Sequence, residues 1–373
     1  MKIHSMTFVD QAFQWKLNPI TFGKLTLLVG VSGVGKTQTL RAILKLRDIT
    51  WGRSLNGVKW EIDFSTIDGS RYLWQGEFEN RGLELLTFQD ILSAKEDTSQ
   101  IIHEKLHLND SLIVERDQDN IVFGGEKTVK LSQQKSVLNL LKEEDLMASA
   151  QQGFQKILFH DITKTRGILE FGSVDTNALQ CETLEQIQES DAGIKTKLYL
   201  TSLVAPDTFD QIKSRFIDVF PFIEDLKIES PADAPTRSSL PLIQIKETRI
   251  DDWINERQIS SGMTRTLLHI AQLYLCADGT VILVDEFENS LGINCIDALT
   301  SDLLGSGRDL QFIITSHHPY IINKIGYEHW KLLARKAGVV TAHDATDFNL
   351  GKSKHEAFIQ LINLDEYADG IKV

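Results

Sequence analysis

Cysteine is scarce in this chain: Cys181, Cys276 and Cys295 are the only three among 373 residues, an odd number with no C-x-x-C spacing. That excludes a disulfide framework and a zinc ribbon and suits a reducing cytosol. Long apolar runs are lacking as well. No window approaches the roughly 18 apolar residues of a membrane span, and the N-terminus has no cationic stretch leading into an apolar core. The expectation is a cytoplasmic protein with no membrane partner. Positive charge is in deficit, leaving a net charge of −13. A uniformly acidic field repels phosphates, so a surface that grips nucleic acid all over is excluded, although a local basic groove stays open. Low-complexity segments and short-period repeats are absent, and the 42% hydrophobic and 24% charged content is that of a folded globular chain. The length fits two domains or one large head with an inserted lobe.

The opening region reads as short strands at Ile3 to Val9, Ile20 to Phe22 and Leu25 to Val29. The last is a nearly continuous apolar run, as expected of a strand buried on both faces of a parallel sheet. It enters Gly30-Val-Ser-Gly-Val-Gly35-Lys36-Thr37, after which Leu40, Ile43 and Leu44 fall at helical spacing. From Lys59 to about Phe123 the pattern alternates, broken by turn pairs at Asp68-Gly69 and Asn109-Asp110, which predicts an antiparallel β lobe. Helical spacing dominates from Ser132 to Phe220, as in Val137, Leu140 and Leu141, then Phe209, Ile212 and Phe216. Residues 230–239 read as a linker. Beyond them come a short strand near Ile243, a helix after Gly262, buried strands at Val281 to Val284 and Phe312 to Ile314, and a helix around His355 to Ile362.

Four elements carry chemistry. The glycine loop matches G-x-x-x-x-G-K-[ST] in full, and strand before with helix after is the context such a loop needs. Its backbone N–H groups would cradle phosphates, with Gly30, Ser32, Gly33, Val34, Gly35 and Gln38 around the ligand. Lys36 would bridge the β- and γ-oxygens of ATP and Thr37 would hold Mg²⁺. Asp285 and Glu286 end an apolar strand and would stand at the carboxyl edge of the sheet. There Asp285 would serve the Mg²⁺ shell through water and Glu286 would be the general base for the attacking water. Ile259-Ser260-Ser261-Gly262-Met263 precedes a helix bearing Leu267, Leu268 and Leu275. Its serine hydroxyl and glycine N–H read either as an ordinary N-cap or as an anion site for a γ-phosphate presented by another subunit. Gln311 to Pro319 is a buried strand ending in His317-His318, either of which could hydrogen-bond a γ-phosphate oxygen.

A fifth match is a decoy. His103-Glu104-Lys105-Leu106-His107 satisfies the H-E-x-x-H zinc-protease pattern, which requires a helix. Here Ile102, Glu104, Leu106 and Leu108 alternate with His103, Lys105 and His107. In a strand the two histidines stand roughly 13 Å apart, too far to share one zinc.

Together these residues resemble the ABC-type head ATPases of the SMC, RecF and OLD group, including the small AAA-family ATP-binding proteins of bacterial phage-defence modules. The motifs fall in roughly 1–50 and 250–325, in the family's order. Ser260 and Gly262 match its Leu-Ser-Gly-Gly-Gln signature, Ile259 is a mild change, and Ser261 and Met263 depart from it. Asp285 to Leu291 resembles the OLD-like Asp-Glu-Pro-Glu-Asn-x-Leu-His block, with Gly292 where that branch often has histidine. The resemblance favours His317 over His318 as the catalytic histidine. It implies a glutamine loop contributing to the metal site, for which Gln89 is the candidate beside the reading of a plain surface glutamine. Trp15 is either an adenine-stacking aromatic or part of the core.

The expected fold is therefore α/β: an ABC-ATPase-like P-loop head with an antiparallel β lobe and an inserted helical lobe. Its expected parts are residues 1–131 (first part of the head), 132–229 (helical insert) and 230–373 (second part of the head). Lys36 and Asp285 are 249 residues apart, about twice the transporter spacing, and no long heptad run supplies an SMC-type arm. Only 56 residues follow His317, too few for a Toprim nuclease domain. The resemblance implies an ATPase in which Ser260 of a second copy completes the site, so that ATP closes a homodimer or higher homo-oligomer. That dimer would act as a switch for a separate effector such as a nuclease or toxin in antiviral defence. The alternatives are a RecF-like repair ATPase that holds DNA and a scaffold that hydrolyses little, which Glu286 disfavours.

Overall fold

The computed structural model describes residues 1–82, 98–160, 180–229, 241–289, 291–305, 307–348 and 371–372. In chain order the elements begin with β1 (Lys2–Asp10), β2 (Trp15–Thr21), β3 (Leu25–Val29), α1 (Lys36–Thr50), β4 (Val58–Ser65) and β5 (Arg71–Phe78). Next come β6 (Ile101–Leu108), β7 (Ser111–Arg116), β8 (Ile121–Phe123), β9 (Glu126–Lys127), α2 (Val137–Leu140), α3 (Asp145–Gln155) and β10 (Ile157–His160). The middle of the chain forms α4 (Leu184–Glu189), α5 (Ile194–Val204), α6 (Pro206–Val219), β11 (Ile223–Glu229), β12 (Leu242–Glu247), β13 (Ile254–Asn255) and α7 (Ser261–Leu275). The last are β14 (Thr280–Val284), α8 (Ile293–Gly305), β15 (Leu310–Thr315), α9 (Pro319–Lys324), β16 (Trp330–Lys336), β17 (Val339–Asp344) and β18 (Ile371–Lys372).

Two compact units result. The first holds Met1–His160, Gly279–Phe287 and Asp309–Val373, and the second holds Asp161–Asp278 and Glu288–Arg308. The first is built on a 15-stranded sheet in the order β10-β14-β15-β3-β16-β17-β2-β1-β4-β5-β6-β7-β8-β9, with β18 beside β16. From β10 to β16 every pairing is parallel. Here β3, β14 and β15 are buried along their whole length, which is why they read as unbroken apolar runs. From β2 through β1 and β4 to β9 the pairings are antiparallel. In that lobe β4 and β5 alternate buried residues with exposed or half-exposed ones.

The inner face of the lobe is aromatic. Trp60 meets Trp74 edge-on at 5.0 Å, Phe64 stacks on Tyr72 at 5.3 Å, and Phe154 of α3 closes edge-on against both Phe64 and Trp74. These contacts explain a difference from the sequence boundaries: α2 and α3, inside the expected 132–229 insert, belong to the first unit. Their apolar residues Val137, Leu138, Met147 and Phe154 share its core with Leu40 and Ile43 of α1. The lobe is also stitched to the parallel strands. Gln311 of β15, 2% exposed, accepts from Ile3 N at 2.8 Å and donates to Ile3 O at 2.8 Å and Gly23 O at 2.9 Å. Its amide is thus satisfied without water, as a buried polar group must be.

The second unit packs α5, α6 and α7 on one another, α8 on α7, and α6 on β11 of the three-stranded antiparallel sheet β11-β12-β13. Pro206 opens α6, where its missing N–H costs no hydrogen bond. Phe209, Ile212, Phe216 and Val219 form its buried stripe. Arg215 of α6 pairs with Asp302 of α8 at 2.9 Å. The linker expected at 230–239 and the helix expected at 355–362 lie outside the described residues. Among the described residues no helix is long and apolar enough to cross a membrane.

Candidate functional site

Parallel pairing brings three strand ends to one edge. Thr315 of β15 lies level with Leu28 of β3, and Ile314 lies level with Val284 of β14. Open α/β sheets leave this carboxyl edge available for ligands. There β3 runs through residues 30–35 into α1, with Gly35 as the helix N-cap. Gly30, Gly33 and Gly35 have φ of 146°, 87° and 109°. Space is as restrictive as backbone angle, since a Cβ on Gly30 would stand 2.7 Å from Leu333 O and one on Gly35 2.8 Å from Val340 Cγ2. Glycine is therefore required at both ends of the loop.

Lys36 is buried, 5% exposed, and its ammonium donates to Gly30 O at 2.7 Å and Val31 O at 3.0 Å. The side chain thus folds back over the loop. Val34 anchors the loop in the core, while Ser32, Gly33 and Gln38 are exposed.

The acids arrive from β14. Thr37 Oγ1 donates to Asp285 Oδ1 at 3.1 Å, across 248 positions of sequence, so this hydroxyl and carboxylate are brought together. Thr315 Oγ1 donates to the same Asp285 oxygen at 2.7 Å and accepts from Glu286 N at 2.8 Å. Phe287 N then donates to Thr315 O at 3.0 Å. One buried threonine therefore fixes both acids, a role that sequence reasoning missed. The available signal was a hydroxyl closing the apolar run Phe312-Ile-Ile-Thr315. Glu286 is exposed and has a φ of 49°, left-handed backbone that costs on the order of 1–3 kcal/mol for a non-glycine residue.

The chain fits Mg-ATP on its own geometry: a glycine cradle that a Cβ would fill, a buried lysine folded over it, and a hydroxyl and a carboxylate already in contact beside it. Of the two histidines beyond β15, His318 is engaged as the N-cap of α9, its Nδ1 accepting from Tyr320 N at 3.2 Å, and His317 is exposed.

Ser260 and Gly262 belong to the second unit. Ser260 is the N-cap of α7, its Oγ accepting from Met263 N at 3.2 Å, and it is exposed. Gly262 lies in the first turn of that helix. Gln89 lies outside the described residues. Trp15 is 6% exposed and packs 5.9 Å from Phe8, so it is a core residue rather than a stacking platform. His103 and His107 lie on β6, an antiparallel strand. Glu104 between them points inward, 0% exposed, accepting from Trp74 Nε1 at 2.8 Å, Ser136 Oγ at 2.5 Å and Val137 N at 2.9 Å. Burial pushes its carboxyl above the usual range, against the pull of those donors and of Arg116.

A family model described as "AAA domain, putative AbiEii toxin, Type IV TA system" matches residues 201–323. That stretch carries Ser260, Asp285, Glu286 and His317 but not the phosphate loop. No curated protein sequence matches the chain. Among solved structures, the chain is similar to an SMC head bound to the C-winged helix domain of ScpA. The identity is 13% and the TM-score 0.51, over 92% of this chain and 97% of that one. The SMC head domain from Thermotoga maritima aligns at 12% identity and a TM-score of 0.44, over 92% of this chain and 99% of that one. The fold is that of SMC-type heads, a mixed α/β fold with a large sheet and several helices.

Proposed function

We propose that this chain is an ATPase that binds Mg-ATP on residues 30–37, hydrolyses it, and completes its site by dimerising. One observation carries the reading: Thr37, Asp285, Thr315 and Glu286 are joined by hydrogen bonds at the mouth of the glycine loop. Such a set has little to do in a merely structural turn. The ATPase-head fold and the AAA-domain match support it.

Each residue then has a task. The N–H groups of residues 32–37 and the α1 N-terminus meet the phosphates, and Lys36 neutralises the β/γ charge. Thr37 and Asp285 would hold the metal, with Gln89, outside the described residues, as the further candidate. When bound, Mg²⁺ supplies a Lewis acid that draws charge from the phosphate oxygens. Glu286, set outward by its left-handed backbone, takes the proton of the attacking water. His317 hydrogen-bonds the γ-phosphate. Ser260 and Gly262 of a second copy close over the nucleotide, and ADP-bound heads separate.

In this reading the cycle is a switch in bacterial antiviral defence, passed to a separate effector protein. The toxin–antitoxin description of the matching family supports a toxic effector, and the SMC head bound to ScpA supports a partner protein in general. The test is ATP binding and turnover in two variants. Lys36→Ala is expected to weaken ATP binding by on the order of 100-fold. Glu286→Gln is expected to keep binding while turnover falls by about 10²- to 10⁴-fold. Wild-type turnover in Glu286→Gln would mean that another group is the base.

A further inference from the structure

Beside the phosphate loop, β16 runs on past the end of β3. Leu332 pairs with Val29, so the residues after it run alongside the loop itself. The β16–β17 hairpin then meets the loop at three places. Leu333 O stands against Gly30, Val340 Cγ2 against Gly35, and Arg335 Nη1 donates to Gly33 O at 3.4 Å. The last is long for a hydrogen bond, but a guanidinium is always charged and a carbonyl dipole at that distance is attracted to it. Arg335 Nε also donates to Ala337 O at 2.8 Å, at the hairpin turn where Ala337 has a φ of 51°. Two anchors fix the guanidinium, and its Nη2 makes no hydrogen bond among the described residues.

A loop with three positive-φ glycines has much backbone freedom to lose before its N–H groups converge on one point. Donors aimed at a charge are most effective when held in place beforehand. Gly33 is exposed, and Arg335 gives its carbonyl a contact from outside the loop. We propose that Arg335 is a positioning residue for the phosphates of the nucleotide, acting through Gly33: it holds the Gly33 carbonyl toward the hairpin and adds a fixed positive charge at the loop rim. This inference rests on the ATP-binding reading above.

The test measures dissociation constants for ATP and for inorganic tripolyphosphate with the full chain, together with Tm. Arg335→Ala is expected to weaken both ligands by about 10-fold, with Tm within about 2 °C of the wild type. Arg335→Lys keeps the charge but cannot hold both carbonyls, so about 3-fold weakening is expected. If Arg335→Ala fails to fold, Arg335→Lys carries the test alone. Wild-type affinity for both ligands in the variants overturns the inference. So does weakening confined to ATP, which would place the effect at the nucleoside. No binding of either ligand by the wild type overturns the proposed function itself, and this inference with it.

Discussion

The carboxyl edge of the parallel sheet and strand β6 of the antiparallel lobe both bury an ionisable group, Lys36 in one and Glu104 in the other. They surround it differently. At the edge the backbone leaves regular geometry at Gly30, Gly33, Gly35 and Glu286, and side chains from α1, from the residue after β14 and from the last residue of β15 converge at the end of the ladder. In β6 the ladder runs on both sides, to β5 and β7. Glu104 spends its oxygens on Trp74, Ser136 and Val137, with Arg116 at 3.8 Å. Arg116 in turn donates to Lys135 O and Ser132 O. One region gathers Lys36, Thr37, Asp285 and Thr315 around the glycine loop, and the other uses its polar groups to fasten residues 132–137 to the lobe. Two motif-like strings therefore part company: a pattern of letters becomes a site where the backbone stops pairing with itself.

Removing Glu104 should break this contrast hardest. Glu104→Ala leaves Arg116, 2% exposed, without its carboxylate and three donors without an acceptor. It should cost about 3–5 kcal/mol in denaturant unfolding, while ATP affinity of the folded fraction stays at the wild-type value. An ATP-binding defect at unchanged stability would mean that β6 takes part in the site after all.

Asp68 offers a smaller effect. Hydrogen bonds from Thr66 first, then Ser70 and Ser149, lower its pKa to about 2. A carboxylate depressed in the folded state contributes stability above its unfolded pKa of about 3.9, and that contribution is lost as pH falls toward 2. Asp68 is exposed, so solvent screening limits the gain to below about 1 kcal/mol. Asp68→Asn should lower Tm slightly at pH 6, and the gap should close by pH 2 to 3. A gap that widens in acid would reverse the assigned sign.

The smallest effect is expected at the β6 histidines. His103→Ala and His107→Ala should each change stability by no more than about 0.5 kcal/mol, and added zinc should leave Tm unchanged. A zinc-dependent rise in Tm lost in both variants would turn the decoy into a site.

Much of the edge was legible in the sequence, because buried parallel strands write continuous apolar runs: Leu25 to Val29, Val281 to Val284 and Phe312 to Ile314 all fall within strands. The α6 stripe at Phe209, Ile212 and Phe216 was equally plain. The β16–β17 hairpin was not. Adjacent Leu332 and Leu333 are both fully buried, which erases the period-two signal of a strand. β10, at four residues, is too short to carry a pattern. The reach of α2 and α3 into the first unit was hidden because helical spacing says that a face is buried, not what buries it. Thr315 and Arg335 could not be placed from spacing either: Thr315 acts on acids 29 and 30 positions away on the neighbouring strand end, and Arg335 on a loop 302 positions away.

In the proposed function residues 30–37 and 285–286 form half of a site that only a second copy completes. The most direct test is the solution mass of Glu286→Gln, measured by sedimentation or light scattering with and without Mg-ATP. The chain is 42.1 kDa. A mass that doubles with Mg-ATP, and fails to do so when Ser260 is also replaced by Arg, is the predicted result. A mass that stays at one chain under saturating Mg-ATP would contradict the account.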